Sequence, residues 1–300
     1  MVDHIKQILE NEKESKTYRR INSSHPLSIY IGYNSKEYPS MVLTENSADL
    51  SVESTKIIEV NTYRRTDGKL ALEFALTDKL FSTMFYKFCE DVITSSNNIS
   101  KDKAIIFFVN RWEAWRLMFQ NANKDILSDK AIEGLLGELI FIEKSMIPKY
   151  GLHKSISAWE GPMGKPKDFI INQTWYEVKT ISTAAKSIVI SSLEQLDADN
   201  EGFLEVMKVE RTNRENSNAV NLNIQIEKIK NIMTDINDLK EFMRKLSLVG
   251  YCIDEIYSKQ YFEFKTSKEF AVKDGFPRIR RKDIPKEILK LQYEISLADL

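Results

Sequence analysis

The chain has 300 residues, 42% hydrophobic and 29% charged, with only 10 Gly and 7 Pro; this composition excludes collagenous, low-complexity and disordered material and leaves one elaborated domain or two. Its 43 Lys and Arg against 44 Asp and Glu leave a net charge of −1, so no global positive field draws in a polyanion, and nucleic-acid contact requires a local basic patch. Two distant cysteines, Cys89 and Cys252, exclude a disulfide scaffold and a structural zinc site; with a charged start and no apolar run of membrane-spanning length, they point to the reducing cytoplasm and away from a membrane.

The first twenty residues mix Glu, Lys and Arg with Ile5, Ile8 and Leu9, a pattern that predicts an amphipathic helix ending before Ser23, Ser24 and Pro26. From Leu27 to about Thr77 the texture is β: Ile29-Tyr30-Ile31, Lys56 to Val60, and Leu70 to Ala75, the last two separated by Thr66-Asp67-Gly68. Leu80, Phe81, Met84, Phe85, Phe88 and Val92 then recur at helical spacing before a Ser95-Ser96-Asn97-Asn98 break. These signals predict a β-rich N-terminal domain over residues 1–100.

Helices are predicted from Lys101 to Met118 and from Ser128 or Asp129, either a credible N-cap, to Met146 before Pro148. The period then changes. Asp168 to Asn172 and Trp175 to Thr180 read as two strands joined by a tight polar turn, followed by a strand Ser187 to Ile190 and a helix starting at Ser191 or Ser192. A long helix from Leu222 to Leu246 and β-like runs at Tyr261 to Lys265 and Phe270 to Val272 complete the chain. The resulting division is 1–100, a core at 101–205 and a C-terminal helical and β extension at 206–300, in an α/β or α+β class without an internal repeat.

Glu177-Val178-Lys179 is an acid-x-Lys triplet, a spacing shared by Glu14-Ser15-Lys16, Asp238-Leu239-Lys240 and Glu263-Phe264-Lys265. Its neighbourhood separates it from the others. Period-2 alternation puts Trp175, Glu177 and Lys179 on one strand face, and a two-residue turn at Asn172-Gln173 pairs 171 with 174 and 170 with 175, which sets Asp168 opposite Glu177. Cross-strand Cβ atoms lie roughly 5 Å apart, and two carboxylates at that spacing repel unless a cation or a proton intervenes. Hard oxygen donors without a His or Cys cluster suit Mg²⁺, with Mn²⁺ as a substitute. Lys179 can orient or deprotonate a water, or offset charge on the transition state. Upstream, Glu138 shares a helix face with Leu135, Phe141 and Ile142, an expensive place for an uncompensated carboxylate, while Gly134 and Gly137 permit close approach of that helix to a sheet or backbone. Downstream, Gln195 falls in the first turns of the helix expected after Ile190.

Together these segments resemble the PD-(D/E)XK nuclease superfamily, which includes many restriction endonucleases and DNA repair nucleases, and more narrowly a prokaryotic family of PD-(D/E)XK members. The resemblance rests on Gly137-Glu138-Leu139, Trp159-Glu160-Gly161-Pro162, Asp168-Phe169, Glu177 to Thr180, Gln195-Leu196 and Phe276-Pro277-Arg278-Ile279, across the central and C-terminal two thirds. It implies a restriction-endonuclease-like core, a mixed sheet flanked by helices. Asp168 and Glu177 would bind metal with Glu138 as a further ligand, Lys179 would serve the attacking water, and Gln195 would be an auxiliary residue on the second core helix. It further implies a Mg²⁺-dependent DNA endonuclease leaving 5′-phosphate and 3′-hydroxyl ends, acting in restriction or phage defence beside other proteins. Two departures stand out: the proline of Pro166-Lys167-Asp168 sits one position early, and Gln195 is followed by Asp199 where a subgroup has Tyr.

Asp254 and Glu263 repeat the Asp168 to Glu177 separation, but no glycine-flanked Glu helix precedes them. Gly161-Pro162-Met163-Gly164-Lys165 echoes a phosphate loop, yet it is too short and lacks Ser or Thr after the Lys. Arg278, Arg280, Arg281 and Lys282 form a basic tail that reads either as a phosphate-contact surface or as a solvated face. Cutting both strands would use two sites, which makes a homodimer one expectation. The competing reading is a catalytically inactive nuclease-like module that binds DNA or a protein partner.

Overall fold

The computed structural model describes residues 2–13, 17–45, 52–122 and 125–300. They divide into two compact units, residues 1–126 with 250–254 and residues 127–249 with 255–300. Among the described residues no helix is long and apolar enough to cross a membrane, and both cysteines are buried free thiols.

The first unit contains helix α1 (Val2–Glu12), strands β1 (Tyr18–Arg20), β2 (Ser28–Tyr33), β3 (Pro39–Glu45), β4 (Ile58–Arg64) and β5 (Leu70–Leu76), and helices α2 (Ser82–Ser96) and α3 (Lys101–Asn121). The strands form one antiparallel sheet ordered β1-β2-β3-β5-β4. Alternation along β5 sends Leu72, Phe74 and Leu76 to one face; Phe74 packs against Phe88 of α2 and Phe108 and Trp112 of α3, with ring centroids 4.9 to 5.6 Å apart. Helix α3 therefore completes the core of this unit, beyond the boundary near residue 100 that the Ser95-Ser96-Asn97-Asn98 break suggests. The helix predicted over the first twenty residues stops at Glu12, and Tyr18–Arg20 pairs with β2 instead.

The second unit begins with α4 (Asp129–Phe141), where the Ser128 hydroxyl accepts from the Ala131 amide as N-cap. The helix continues through a π-helical stretch (Ile142–Met146) into α5 (Ile147–Tyr150) and is followed by α6 (Leu152–Ala158). Strands β6 (Phe169–Ile171), β7 (Thr174–Ile181), β8 (Ser187–Ile190), β9 (Gly202–Thr212) and β10 (Ala219–Val220) come next, then α7 (Leu222–Asn231), α8 (Ile236–Leu248), β11 (Tyr261–Val272) and β12 (Tyr293–Ser296). The main sheet runs β10-β11-β9-β7-β6 and is mixed: β7 and β9 are parallel and the other pairs antiparallel. Helix α4 covers β7 and β9, Phe141 meeting Phe169 and Tyr176 at 5.2 and 5.5 Å between centroids. On the other face Trp175, Leu204 and Val206 pack with Ile188, Ile190 and Ile295 of the β8–β12 pair. This is a mixed sheet flanked by helices, a restriction-endonuclease-like α+β fold.

Three local expectations change. The helix predicted over Leu222 to Leu246 is two helices, because the Asp235 carboxylate accepts from the Asn237 amide and starts a new one. The β-like runs at 261–265 and 270–272 are one strand, with a register shift between Phe264 and Thr266. The segment directly after Ile190 is not an α-helix. Leu193–Gln195 is a single 3₁₀ turn whose carbonyls are captured from outside: Lys167 Nζ takes those of Glu194 and Gln195 at 2.7 Å, and Arg278 takes that of Leu196 at 3.1 Å. Carbonyls held this way are turned away from the i+4 amides that would propagate a helix.

Candidate active site

The hairpin β6–β7 sets the site. Asn172 and Gln173 both adopt positive φ, 49° and 67°, the conformation of a two-residue hairpin turn matched to strand twist. The register is Ile171 with Thr174, Ile170 with Trp175 and Phe169 with Tyr176, so Asp168, the residue before the shorter strand, lies beside Glu177 and Val178. Its Oδ2 accepts the Val178 amide at 2.7 Å. Glu177 is 1% exposed, and its Oε1 pairs with Lys179 Nζ at 2.9 Å. Its Oε2 is buried with no partner.

Glu138 comes to the same place from α4. Gly137 allows the approach: a Cβ there would sit 1.8 Å from Thr180 Oγ1 on β7. Gly134 faces open space, so only one of the two glycines of α4 serves the contact. Glu138 Oε2 accepts the indole N–H of fully buried Trp159 at 2.6 Å. Each of the three carboxylates thus has one oxygen held by a protein donor.

Their electrostatics are those of acids forced together out of water. Burial, then the Asp168 charge, pushes the Glu177 carboxyl up to about 8, against the pull of Lys179. Burial and Asp168 likewise hold Glu138 well above the usual carboxylate range, with Glu177 adding to the rise. Asp168 is raised by burial and pulled back by the Val178 amide, Lys179 and Lys167. Among the described residues no group of three or more His, Cys, Asp or Glu side chains is drawn together as a ready-made cation cage.

Gln195 and the basic tail are employed differently from the expectation. Gln195 lies on the 3₁₀ turn, where its Oε1 accepts the Ser191 amide at 2.7 Å and closes a capping box with Ser192. Arg278 holds the carbonyls of Leu196 and Ala198 at 3.1 and 3.2 Å. Arg280 pairs with Asp197 and Asp199, and Arg281 holds the carbonyls of Pro285, Lys286 and Ile288. Of the tail cations only Lys282 is exposed. The competing triplets separate as well. Glu14 to Lys16 lies outside the described residues, Asp238 sits on α8 beside His153 at 2.6 Å, and Asp254 and Glu263 belong to different units.

Three residues stand at the site without having been singled out for it. Lys167, 6% exposed, adjoins Asp168, and in the sequence it is marked only by displacing the proline. Trp159 binds Glu138, and Gly161 faces both Glu138 and Asp168: a Cβ there would lie 3.1 Å from Asp168 Oδ1 and 3.4 Å from Glu138 Oε2. Their signal was the Trp159-Glu160-Gly161-Pro162 stretch, visible as a motif and silent as to role. No curated protein and no solved structure matches the chain. A family model whose description reads "Putative PD-(D/E)XK family member (DUF4420)" matches residues 6–298, and the chain belongs to that family.

Proposed function

We propose that the second unit hydrolyses DNA phosphodiester bonds with a divalent cation, Mg²⁺ in the first instance, held by Asp168, Glu177 and Glu138. The observation that carries the reading is the Glu177 Oε2 atom, a carboxylate oxygen 1% exposed at the residue level and without a partner, beside two further acids. A buried, unpaired acceptor is unfavourable by about 1–3 kcal/mol, more when charged. A hard cation answers that deficit, and so does the donor set, all carboxylate oxygen with no sulfur or imidazole. The space left by Gly161 between Asp168 Oδ1 and Glu138 Oε2 supports the same fit.

When bound, the cation supplies Lewis-acid polarisation of a phosphate and a more acidic water. The chain's residues do the rest. Val178, Trp159 and Lys179 each fix one oxygen of an acid, which orients the other. The Lys179 ammonium brings positive charge beside Glu177, where it offsets charge developing on a phosphate oxygen or orders the attacking water. Our proposed setting, restriction or defence against foreign DNA, rests on the likeness to restriction endonucleases.

The test is cleavage of supercoiled and linear DNA with Mg²⁺, Mn²⁺ or EDTA, comparing wild type with Asp168→Ala and Lys179→Ala. Metal-dependent cutting lost in both variants supports the assignment. Equal cutting by all three proteins removes it, and metal-independent binding without cutting supports an inactive DNA-binding module instead.

A further inference from the structure

We propose that the Trp159–Gly161 segment is the positioning element of this site: Trp159 fixes the Glu138 carboxylate, and Gly161 keeps open the space between Glu138 and Asp168 that a divalent cation enters. This rests on the metal-site reading above and adds two residues to it.

One short stretch grips both acid-bearing residues. The Trp159 indole donates to Glu138 Oε2 at 2.6 Å, while the amides of Glu160 and Gly161 donate to the Asp168 carbonyl at 2.8 and 3.0 Å. An indole N–H can donate and cannot accept, so its partner at that point must be an acceptor, and that acceptor is the Glu138 carboxylate. The indole is itself fixed from behind. Phe242 of α8 lies 6.1 Å away between ring centroids, and Trp159 forms a β-bridge with Phe169, the residue after Asp168. Lys245, 2% exposed, ties α8 to the carbonyls of Ile156 and Ser157 at the end of α6, at 2.8 and 3.0 Å. Glu138 and Asp168, from a helix and a strand, are thereby referred to one frame.

Gly161 is a glycine for space and not for conformation. It is absent from the positive-φ glycines, which include Gly164 at 70° in the same turn. An alanine there would meet no backbone penalty of the left-handed kind; it would meet two carboxylate oxygens, at 3.1 and 3.4 Å. Two acids held on different elements therefore face one void at the position of a single missing methyl group.

The experiment measures Mn²⁺ binding to the full chain by titration calorimetry and metal-free unfolding in EDTA, for wild type, Gly161→Ala, Trp159→Phe, Glu138→Ala, Glu177→Ala and the Trp159→Phe/Glu138→Ala pair. Trp159→Phe is expected to weaken Mn²⁺ binding about 10- to 100-fold, the usual loss when an outer partner of a metal ligand is removed, and Gly161→Ala to weaken it by setting a methyl group between the two acids. In the Glu138→Ala background Trp159→Phe should weaken it no further, since the indole acts through that carboxylate. Should Trp159→Phe fail to fold, Gly161→Ala, which removes no contact, carries the test. Wild-type affinity in Gly161→Ala or equal losses from Trp159→Phe with and without Glu138 would overturn the proposal. Where Mn²⁺ binding is lost in Glu177→Ala, that failure leaves the metal site standing; Mn²⁺ binding indifferent to Glu177→Ala overturns both.

Discussion

Lys167 donates to the main-chain carbonyl of Gln195 at 2.7 Å, and this bond joins the residue before Asp168 to the turn after β8. The same ammonium reaches the carbonyls of Glu194 and Asp197 at 2.7 and 3.3 Å and stands 4.0 Å over the Trp175 ring. Three donors meet three acceptors above an aromatic face, a complete accounting for a buried ammonium. Lys167→Met keeps the stem and removes every one of these bonds. These bonds are part-buried, so the expected loss is about 2 kcal/mol. Urea unfolding checks it, and an unchanged midpoint would show that the turn holds itself.

The two glycines of α4 should respond in opposite directions. Gly134→Ala enters open space and gains helix propensity, so it should stabilise by up to about 1 kcal/mol. Gly137→Ala drives a methyl group into Thr180 and must lift α4 from β7; overpacking of this kind is unfavourable by about 1–3 kcal/mol. Because Glu138 is the next residue, Gly137→Ala should lower cleavage beyond its effect on folding. Thermal unfolding of both variants decides it: a matched rise in midpoint would mean that the helix yields freely.

The acids predict a pH dependence with a definite sign. Burial and the Asp168 charge raise the Glu177 carboxyl from its ordinary 4.5 to about 8. A folded-state value above the unfolded one means that the group's stabilisation is fully present below 4.5 and is lost as pH rises through about 8. Metal-free protein should therefore lose stability across that interval. Glu138 and Asp168 shift in the same direction. Cation binding requires the ionised acids, so at about pH 6.5 it should release protons, and the share released by Glu177 should fall away as pH rises through about 8. Calorimetry in two buffers of different ionisation heat reads the release directly. Equal heats in both buffers at the lower pH would falsify the assignment of these acids as ligands.

How far the sequence carried differs between neighbouring residues. The hairpin register was legible because a two-residue turn and strict period-2 alternation leave one pairing, and 171 with 174 and 170 with 175 are the observed pairs. The chain after Ile190 was not legible in the same way. Ser191-Ser192-Leu193-Glu194-Gln195-Leu196 has the caps and apolar spacing of a helix start, and nothing local announces that Lys167, 27 to 30 residues earlier, and Arg278, 80 to 82 residues later, take its carbonyls. Long-range donors overrode local propensity. Trp159 and Gly161 were hidden for a related reason: an indole that orients a carboxylate and a glycine that is only a gap carry no chemistry of their own in a string of letters.

The basic tail gives the last prediction, because its cations divide by what they already hold. Arg278 is spent on the carbonyls of Leu196 and Ala198, so Arg278→Ala should destabilise the unit by about 1–3 kcal/mol, the range for leaving such groups unpaired. Lys282 is exposed, and as a phosphate contact its loss should weaken DNA binding evenly across sequences and reduce the slope of log affinity against log salt by about 1. Arg278→Ala should leave that slope unchanged wherever the protein remains folded. Binding titrations over a range of salt, paired with unfolding curves, separate the two effects. A reduced slope in Arg278→Ala with an unchanged unfolding midpoint would reverse the roles, making the arginine the contact and its carbonyl bonds incidental.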